Sequence, residues 1–289
     1  MLSITLVTPD HLALVSARDA VRAALAIGSE TGLGEGALDL FAEGEAQATK
    51  SVVQTALRDL PVDFAVQPVE NRRKRVLIAD MDSTIINVEC LDELADFAGV
   101  KAQVSEITER AMRGELAFEG ALRERVGMLA GLSVGALQSC YDDRVRLNPG
   151  AETLVRTMAK HGARCALVSG GFTFFTSRVA EAAGFHLNRA NSLIEADGKL
   201  TGQVGDPILG KEAKLAALIE ETTALGLAPA DALAVGDGAN DLAMIEAAGL
   251  GVAYRAKPIV AAQAHAKVDH ADLTALLYFQ GYLASEFAA

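Results

Sequence analysis

Acidic and small polar residues follow three short apolar runs of the sequence. They are residues 80–84 (DMDST), residues 169–171 (SGG) and residues 236–241 (GDGAND). Apolar runs without alternation are typical of strands buried on both faces of a parallel sheet, and open α/β sheets bind ligands at the carboxyl ends of their strands. One cluster alone is a weak signal, since an Asp there is often a helix cap and Ser-Gly-Gly is usually a turn. The three together predict a single site.

Three carboxylates of these clusters, those of Asp80, Asp82 and Asp237, are expected to converge. Carboxylates that share one site repel each other, so the pattern implies a hard divalent cation with oxygen ligands. Mg²⁺ suits both these ligands and a substrate phosphate. Ser169 and the backbone N–H groups after it, at a helix start, are suited to hold phosphate oxygens. The residues therefore indicate Mg²⁺-dependent chemistry on a phosphate group.

The chain has 289 residues, of which 51% are hydrophobic, and a formal net charge of −12. An acidic chain repels nucleic-acid phosphates and anionic lipids, so neither is an expected partner. A phosphate substrate is also an anion, and its site must gather positive charge locally. The three cysteines, Cys90, Cys140 and Cys165, lack C-x-x-C spacing, which predicts reduced thiols in a cytoplasmic protein. We expect no signal peptide and no membrane-spanning helix.

Residues 1–70 are predicted to form a small α+β domain with the order β-α-β-α-β. The predicted strands are 2–7, 37–42 and 62–68, and the predicted helices are 11–25 and 45–58. A basic run at residues 70–75 (ENRRKR) follows. We interpret it as a solvated linker rather than a nucleic-acid-binding segment.

From residue 75 on, apolar runs alternate with helical segments, which predicts an α/β fold with a doubly wound parallel sheet. The predicted strands are 76–79, 165–168, 233–235 and 251–253, and the predicted helices are about 149–161, 172–183, 211–225 and 239–248. Residues 87–148 show only amphipathic helical patterns and are predicted to form a cap over the site. The core then comprises residues 71–86 and 149–289. Within residues 192–202, Asp197-Gly198 predicts a hairpin turn.

The D-x-D-S-T run at residues 80–84, the S-G-G, a Lys and the G-D-G-x-N-D run resemble the four motifs of haloacid dehalogenase superfamily phosphatases. Within that superfamily, residues 80–95, 107–126, 168–172 and 235–241 closely resemble the phosphoserine phosphatase family. The resemblance covers about residues 72–280 and covers residues 1–70 poorly. It implies a haloacid-dehalogenase-like fold and hydrolysis of O-phospho-L-serine to L-serine and phosphate, the last step of serine biosynthesis.

The resemblance also implies the roles of the acidic residues. Asp80 would be the nucleophile that becomes an aspartyl-phosphate. Asp82 would protonate the leaving alkoxide and then act as the base for the attacking water. Mg²⁺ would be bound by Asp80, by the backbone carbonyl of Asp82 and by Asp237.

Further motif residues would hold the phosphoryl group. Those implied to contact it are Ser169, Gly170 and Asn240. Asp241 would support the metal and the motif Lys, for which Lys211 and Lys214 are the candidates. The spacing back from Asp237 favours Lys214, and an exposed helical Lys is the interpretation of the other.

Substrate selection would come from the cap. By the resemblance, Glu89 would meet the substrate's amino group and Arg125 would pair with its carboxylate, as a bidentate partner. Met112 and Phe118 match apolar residues that close over the site, with ordinary helix packing as the alternative. For Glu89 and Arg125 the alternative is an exposed helical charge, which is also what we expect of Arg123.

Other functions remain open at this point. One is a phosphatase of the same fold acting on another small phosphate, such as phosphohomoserine or phosphothreonine. Another is a catalytically inactive sensor, against which the intact acidic set and Lys214 argue. The N-terminal pattern is near that of the ACT-like regulatory domains of larger family members but is one strand short, and we find no early glycine-rich ligand loop. A packing or homodimerisation module is therefore preferred to an amino-acid sensor.

Overall fold

A computed structural model of the chain describes residues 1–112 and 115–288, with Ala111 and Met112 described by their backbone alone. Strands and helices alternate along most of these residues. The strands are β1 (Leu2–Val7), β2 (Ser29–Gly34), β3 (Ala37–Ala42), β4 (Asp63–Pro68), β5 (Val76–Ala79), β6 (Arg164–Phe172), β7 (Leu187–Asn191), β8 (Leu193–Ala196), β9 (Lys199–Val204), β10 (Ala232–Gly236), β11 (Leu250–Tyr254) and β12 (Ala266–Val268). The α-helices are α1 (His11–Ala24), α2 (Ala46–Ala56), α3 (Cys90–Phe97), α4 (Lys101–Met112), α5 (Phe118–Gly127), α6 (Val134–Arg144), α7 (Ala151–Lys160), α8 (Thr173–Ala183), α9 (Lys211–Ala224), α10 (Leu242–Ala247), α11 (Pro258–Gln263) and α12 (Ala275–Phe279).

Six parallel strands carry the predicted site, in the order β12-β11-β10-β5-β6-β7. The four predicted strands are present as β5, β6, β10 and β11, so the predicted doubly wound α/β fold is confirmed. Strand β5 lies between β10 and β6, which is the point where the strand order reverses. Ligands bind outside such a switch point, and the carboxyl ends of these three strands meet there.

The N-terminal unit contains a strand that the sequence did not reveal. Its antiparallel order is β2-β3-β1-β4, and its chain order is β-α-β-β-α-β, which is the ferredoxin-like arrangement. The three predicted strands are present as β1, β3 and β4. The predicted order with only three strands was wrong, because the unit has four. The missed strand β2 (SETGLG) is an edge strand with only Leu33 buried, so it lacks the alternation of apolar residues that marks a half-buried strand.

This unit shares one continuous sheet with the core, because β4 pairs with β12 through Phe64 and Lys267. The buried carboxylate of Asp63 stabilises the junction. It accepts hydrogen bonds of 2.8 to 3.3 Å from the backbone N–H groups of residues 269–271. The sheet therefore has ten strands.

The basic run at residues 70–75 was predicted to be a solvated linker, and for two of its residues this was wrong. The guanidinium of Arg72 is 9% exposed and donates to both carboxylate oxygens of Asp39, at 2.8 and 3.0 Å. Lys74 is also buried, and its Nζ donates to the carbonyls of Asn71 and Ala230. Composition alone suggests a solvated run, but each of these two charges has buried partners.

Helices α3 to α6 lie between β5 and α7, within the region predicted to be a cap. The two chain passages that lead into and out of this region are hydrogen bonded to each other. Asn87 N donates to Arg146 O, and Asn148 N donates to Ile85 O. The side chain of Asn148 donates to the carbonyls of Thr84 and Ile86. These bonds hold the two passages side by side.

Other expectations concern single features. The predicted hairpin is formed by β8 and β9, with Asp197 and Gly198 at positive φ in its turn. The three cysteines are buried and free. Over the part of the chain that is described, no helix has the length and apolar character required to cross a membrane.

The buried pair of Arg72 and Asp39 generates a stability prediction. Arg72→Met leaves the Asp39 carboxylate buried without its partner, so the free energy of unfolding is expected to fall by about 3–5 kcal/mol, measured by urea denaturation. The matched control is Arg22→Met, because Arg22 forms an exposed pair with Glu30 at 2.8 Å in the same unit. That control is expected to cost less than about 1 kcal/mol. Equal losses in the two variants would contradict a stabilising role for the buried pair.

Candidate active site

The first cluster begins where β5 ends. Asp80 follows the last residue of the strand, and residues 81–85 form a tight turn in which the N–H of Ile86 donates to the carbonyl of Met81 at 3.0 Å. Asp82 and Ser83 depart from helical geometry inside that turn, and Ser83 has φ of +55°. A non-glycine residue rarely adopts such a conformation, and backbone strain of this kind is concentrated at functional sites. The turn keeps Asp80 and Asp82 on the same cavity.

Lys214 connects the first cluster with the third. Its Nζ lies 2.7 Å from Oδ1 of Asp80 and 2.5 Å from Oδ1 of Asp241, and all three side chains are buried. Burial raises the pKa of Asp80 well above its usual range, and the neighbouring charge of Asp241 raises it further, against the effect of Lys214. Burial opposes the charge of Lys214, yet the two carboxylates together raise its pKa. One ammonium group thus serves two buried carboxylates.

The other Lys candidate lies elsewhere. Lys211 begins α9 and is exposed, with Glu212 3.9 Å from its Nζ. One helical turn later, the side chain of Lys214 points into the core. Helix α9 therefore brings Lys214, and not Lys211, to Asp80.

Asp241 is fixed by its own loop. Its Oδ2 accepts the N–H of Gly238 at 3.0 Å, while Oδ1 contacts Lys214. A Cβ atom on Gly236 would lie 2.3 Å from the carboxyl carbon of Asp241. Only glycine fits at the end of β10, because the carboxylate occupies the space of a side chain there.

Three carboxylates of the site can hold a metal ion. One oxygen from each of Asp80, Asp237 and Asp241 lies within 4.8 Å of the others. Burial raises the pKa of Asp237 to about 6, and the charge of Asp241 adds to this effect. The donor set fits a hard cation, because all the donors are oxygens and the three carboxylates outnumber the two lysines near them, Lys214 and Lys257. The sequence grouped the side chain of Asp82 with Asp80 and Asp237, whereas the structure groups that of Asp241 with them.

The second cluster follows the core of β6. Ser169 is buried, and its Oγ accepts the N–H of Gly171 at 2.9 Å. The hydroxyl hydrogen of Ser169 is therefore available for another acceptor. Helix α8 begins at Thr173, and its first N–H groups favour an anion nearby. The same cavity is lined by Ser169, Gly170, Gly171, Gly238 and Asn240.

Asp82 lies on the same cavity and has a different environment from Asp80. Burial raises its pKa to about 7, and the charge of Glu89 also contributes. No contact with Lys214 closer than 4 Å is found for Asp82 in the described parts of the chain, unlike for Asp80. A carboxyl with such a pKa exists in both protonation states near neutral pH, which suits a group that first donates and then accepts a proton.

Helices α3, α4 and α5 line one side of the cavity, which has a volume of about 410 Å³. The ring of Phe118 reaches over Gly170, where an added Cβ would lie 3.4 Å from it. Glu89 is held by the hydroxyl of Ser83, which donates to its Oε1 at 2.6 Å. Arg125 lines the cavity and donates to the carbonyl of Ala121 at 3.3 Å. Within the described residues, no carboxylate forms an ion pair with this guanidinium.

Some lining residues were not predicted. They are Ser83, Leu91, Asp92, Thr108, Leu122, Phe172 and Lys257. Two of them interact with Arg125. Against the lowering effect of burial, the charge of Asp92 raises the pKa of its guanidinium, and the hydroxyl of Thr108 lies 3.5 Å from that group. Their helical positions carry no distinctive pattern in the sequence, although Asp92 lies within the run that resembles the family. The side chain of Met112 lies outside the described residues, and Arg123 forms a partly exposed pair with Asp206.

Comparison with known proteins identifies the family. The model of the haloacid dehalogenase-like hydrolases matches residues 77–246, which include all three clusters. The chain belongs to the haloacid dehalogenase-like hydrolase family. The fold and the sequence resemblance agree with this assignment.

Individual relatives are similar over most of the chain. A phosphoserine phosphatase of Polaromonas sp. is 46% identical over 223 residues, which are 75% of this chain and 94% of that protein. A solved hydrolase of the same family from Salmonella enterica serovar Typhi has a TM-score of 0.86 and 29% identity, covering 96% of this chain and 98% of that chain. A solved phosphoserine phosphatase, described as a phospho-aspartyl intermediate analogue, has a TM-score of 0.66 and 38% identity, covering 72% of this chain and 99% of that chain.

The shared ammonium group generates a prediction about stability and pH. Lys214→Met removes the cation between Asp80 and Asp241, so the pKa of Asp80 rises further in the folded state. A carboxyl with a raised folded-state pKa binds more protons when folded, and the free energy of unfolding then falls as pH rises. In metal-free buffer, the deficit of Lys214→Met relative to the wild type is expected to grow between pH 5 and pH 8.

Urea denaturation at both pH values measures this effect, with Lys211→Met as the matched control on the same helix. The control is expected to differ from the wild type by less than about 0.5 kcal/mol at either pH. A deficit for Lys214→Met that is independent of pH would show that the lysine stabilises the site by packing rather than by its charge.

Proposed function

We propose that this chain is a phosphoserine phosphatase, which hydrolyses O-phospho-L-serine to L-serine and phosphate through an aspartyl-phosphate on Asp80. The observation that carries the proposal is one cavity lined by Asp80, Glu89 and Arg125, in which Asp80 contacts the buried Lys214 at 2.7 Å. The relatives named phosphoserine phosphatases support the substrate. The reaction would be the last step of serine biosynthesis, and the enzyme would act in the cytoplasm.

In the first step, a carboxylate oxygen of Asp80 attacks phosphorus, and the bond from phosphorus to the serine oxygen breaks. Lys214 holds Asp80 through Oδ1 and favours its ionised form, against the effect of burial. The Ser169 hydroxyl and the N–H of Gly170 bind phosphoryl oxygens, with Asn240 as a further contact. Asp82 donates its proton to the serine oxygen, because an alkoxide is a poor leaving group. The pKa of Asp82, raised to about 7, supports its role as the acid.

In the second step, a water molecule attacks the phosphorus of the aspartyl-phosphate. Asp82, now a carboxylate, takes the proton from this water. The bond from phosphorus to the Asp80 oxygen breaks, which restores the Asp80 carboxylate and frees phosphate. The two steps divide one difficult hydrolysis into two easier ones.

Mg²⁺ is the proposed cofactor, held by Asp80, by the backbone carbonyl of Asp82 and by Asp237, with Asp241 as a supporting acid. The acidic set of the site and the pKa of Asp237, raised to about 6, support a cation there. When bound, it would neutralise charge on the phosphoryl oxygens. Its ligands must be deprotonated to bind it.

Two opposite charges in the cap select the substrate. Glu89 receives the ammonium group and Arg125 the carboxylate of the amino acid. The support for Arg125 is its half-buried guanidinium, which has no carboxylate partner in the described residues. The support for Glu89 is its carboxylate, held at the cavity wall by Ser83. Phe118 covers the phosphoryl end, and Met112 is proposed as a second apolar contact.

The proposed domains are a core of residues 71–86 and 149–289, a cap of residues 87–148 and an N-terminal domain of residues 1–70. The backbone hydrogen bonds between residues 85–87 and residues 146–148 support the limits of the cap. The N-terminal domain is proposed as a packing module that can also form a homodimer. The ferredoxin-like strand order removes one objection to an ACT-like domain, and the buried pair with Arg72 supports the packing role.

The direct test is turnover of O-phospho-L-serine with Mg²⁺ and after its removal by a chelator. We expect turnover with the metal, loss without it and recovery on adding it back. Asp80→Asn is expected to abolish turnover, with kcat at least about 10⁴-fold lower, because an amide does not form the acyl phosphate. Asp19→Asn, at an exposed position on α1, is the matched control. A small loss in Asp80→Asn would overturn its assignment as nucleophile.

The role of Arg125 is tested by comparing two substrates. Arg125→Ala is expected to raise KM for phosphoserine by about 10²-fold, since a charged hydrogen-bonding pair is lost. KM for an aryl phosphate, which has no carboxylate, is expected to stay within about threefold. Arg123→Ala, two residues earlier on the same helix, is the control. Parallel losses on both substrates would contradict the carboxylate role, and better turnover of phosphohomoserine or phosphothreonine would change the proposed substrate.

A further inference from the structure

Asn191 is a buried polar residue that the mechanism above does not use. It is the last residue of β7, it is 2% exposed, and it pairs with Phe172 of β6. Among the described residues, all the hydrogen bonds found for its side chain go to backbone groups of two segments. One segment is the end of β6 at Gly170, and the other is the chain before α9 at Leu209.

The bond to Gly170 reaches the phosphate side of the cavity. Asn191 Nδ2 donates to the carbonyl of Gly170 at 2.8 Å. That carbonyl belongs to the same planar peptide group as the N–H of Gly171, which donates to Ser169 Oγ at 2.9 Å. The amide of Asn191 therefore fixes the orientation of this peptide group. The N–H of the same group donates to the hydroxyl oxygen of Ser169. With an N–H already donating to its oxygen, Ser169 directs its own hydrogen to another acceptor.

The bonds to Leu209 reach the lysine side. Asn191 Oδ1 accepts the N–H of Leu209 at 2.7 Å, and Nδ2 lies 3.3 Å from its carbonyl. Leu209 precedes Gly210, which is the N-cap of α9. Lys214 lies one turn into that helix and contacts Asp80. One side chain thus fixes the position of the start of α9 relative to the end of β6 at Ser169–Gly171.

We propose that Asn191 is a positioning residue, which holds the phosphate-binding turn at Ser169–Gly171 in register with the helix that carries Lys214. The inference rests on the proposed phosphatase activity. It adds a residue on β7, which lies outside the three acidic and polar clusters. Because the amide uses both of its ends, neither Asp nor a hydroxyl residue supplies the same bonds.

The test replaces Asn191 with Leu, which keeps the branched shape and the number of side-chain heavy atoms and removes every hydrogen bond. Asn191→Ser is the second variant, in case Leu prevents folding. Thr176→Val is the matched control. Thr176 is buried on α8 beside β7 and donates to Asn188 Oδ1 at 2.8 Å, so it also loses a buried hydrogen bond but has no link to the site.

The readout is the inhibition constant of inorganic phosphate and that of L-serine, with an aryl phosphate as the reporter substrate and Mg²⁺ present. In the Asn191 variants we expect the inhibition constant of phosphate to rise about tenfold, which corresponds to the loss of about one hydrogen bond. We expect kcat to fall about 10²-fold. The serine constant is expected to change less than twofold. Thr176→Val is expected to lower Tm to a similar degree with all three quantities unchanged.

An unchanged phosphate constant in an Asn191 variant that folds would overturn the inference, as would equal changes in the phosphate constant in Thr176→Val. The phosphate constant decides the matter by itself. If the wild type hydrolyses the aryl phosphate but not phosphoserine, the proposed substrate fails, and the test of Asn191 still stands because it reads only the phosphate half of the cavity.

Discussion

The ammonium group of Lys214 lies in contact with two buried carboxylates, and the arrangement of the site depends on this contact. Asp80 and Asp241 come from the ends of β5 and β10, while Lys214 comes from α9, so one ion cluster joins three separate segments. Burial of charge is unfavourable unless partners compensate for it. With Asp237 nearby, the three carboxylates outnumber the two lysines that act on them, Lys214 and Lys257. In a chain with a net charge of −12, this group can therefore hold a cation.

The parallel sheet explains why much of this site is visible in the sequence. Side chains that follow neighbouring parallel strands meet at one edge, so Asp80, Ser169 and Asp237 could be grouped from their positions after apolar runs. The close approach of Asp241 to Gly236 is also encoded, since a Cβ there would lie 2.3 Å from the carboxyl carbon. The sequence did not reveal that the carboxylate of Asp241 lies nearer to the metal-binding group than that of Asp82. The position of the Asp82 side chain is set by the tight turn after Asp80, in which Asp82 and Ser83 are not helical. That turn has no simple sequence pattern.

Features that depend on tertiary partners were less visible. Strand β2 is polar and exposed at the edge of the sheet, and its pairing with β3 creates a strand that its residues alone do not indicate. Arg72 belongs to a basic run and was interpreted as solvated, because its partner Asp39 lies 33 residues earlier in a different strand. Asn191 shows the same difficulty, since its importance lies in bonds to two distant backbone segments. Residue type predicts chemistry well where local sequence sets the geometry, and poorly where a remote partner does.

Along the chain, the N-terminal unit leads directly into β5, the strand that precedes Asp80. The chain passes the buried pair of Arg72 and Asp39 and then enters β5, where the N–H of Arg75 donates to Asp231 O at 2.8 Å. Four residues of strand separate this anchor from Asp80, and β5 is flanked by β10 and β6. Asp80 is thus held from both ends of a short strand: by Lys214 at its carboxyl end and by the bond of Arg75 to Asp231 at its start. Since the ten strands form one sheet, the N-terminal unit and the strand that leads to Asp80 belong to one hydrogen-bonded framework.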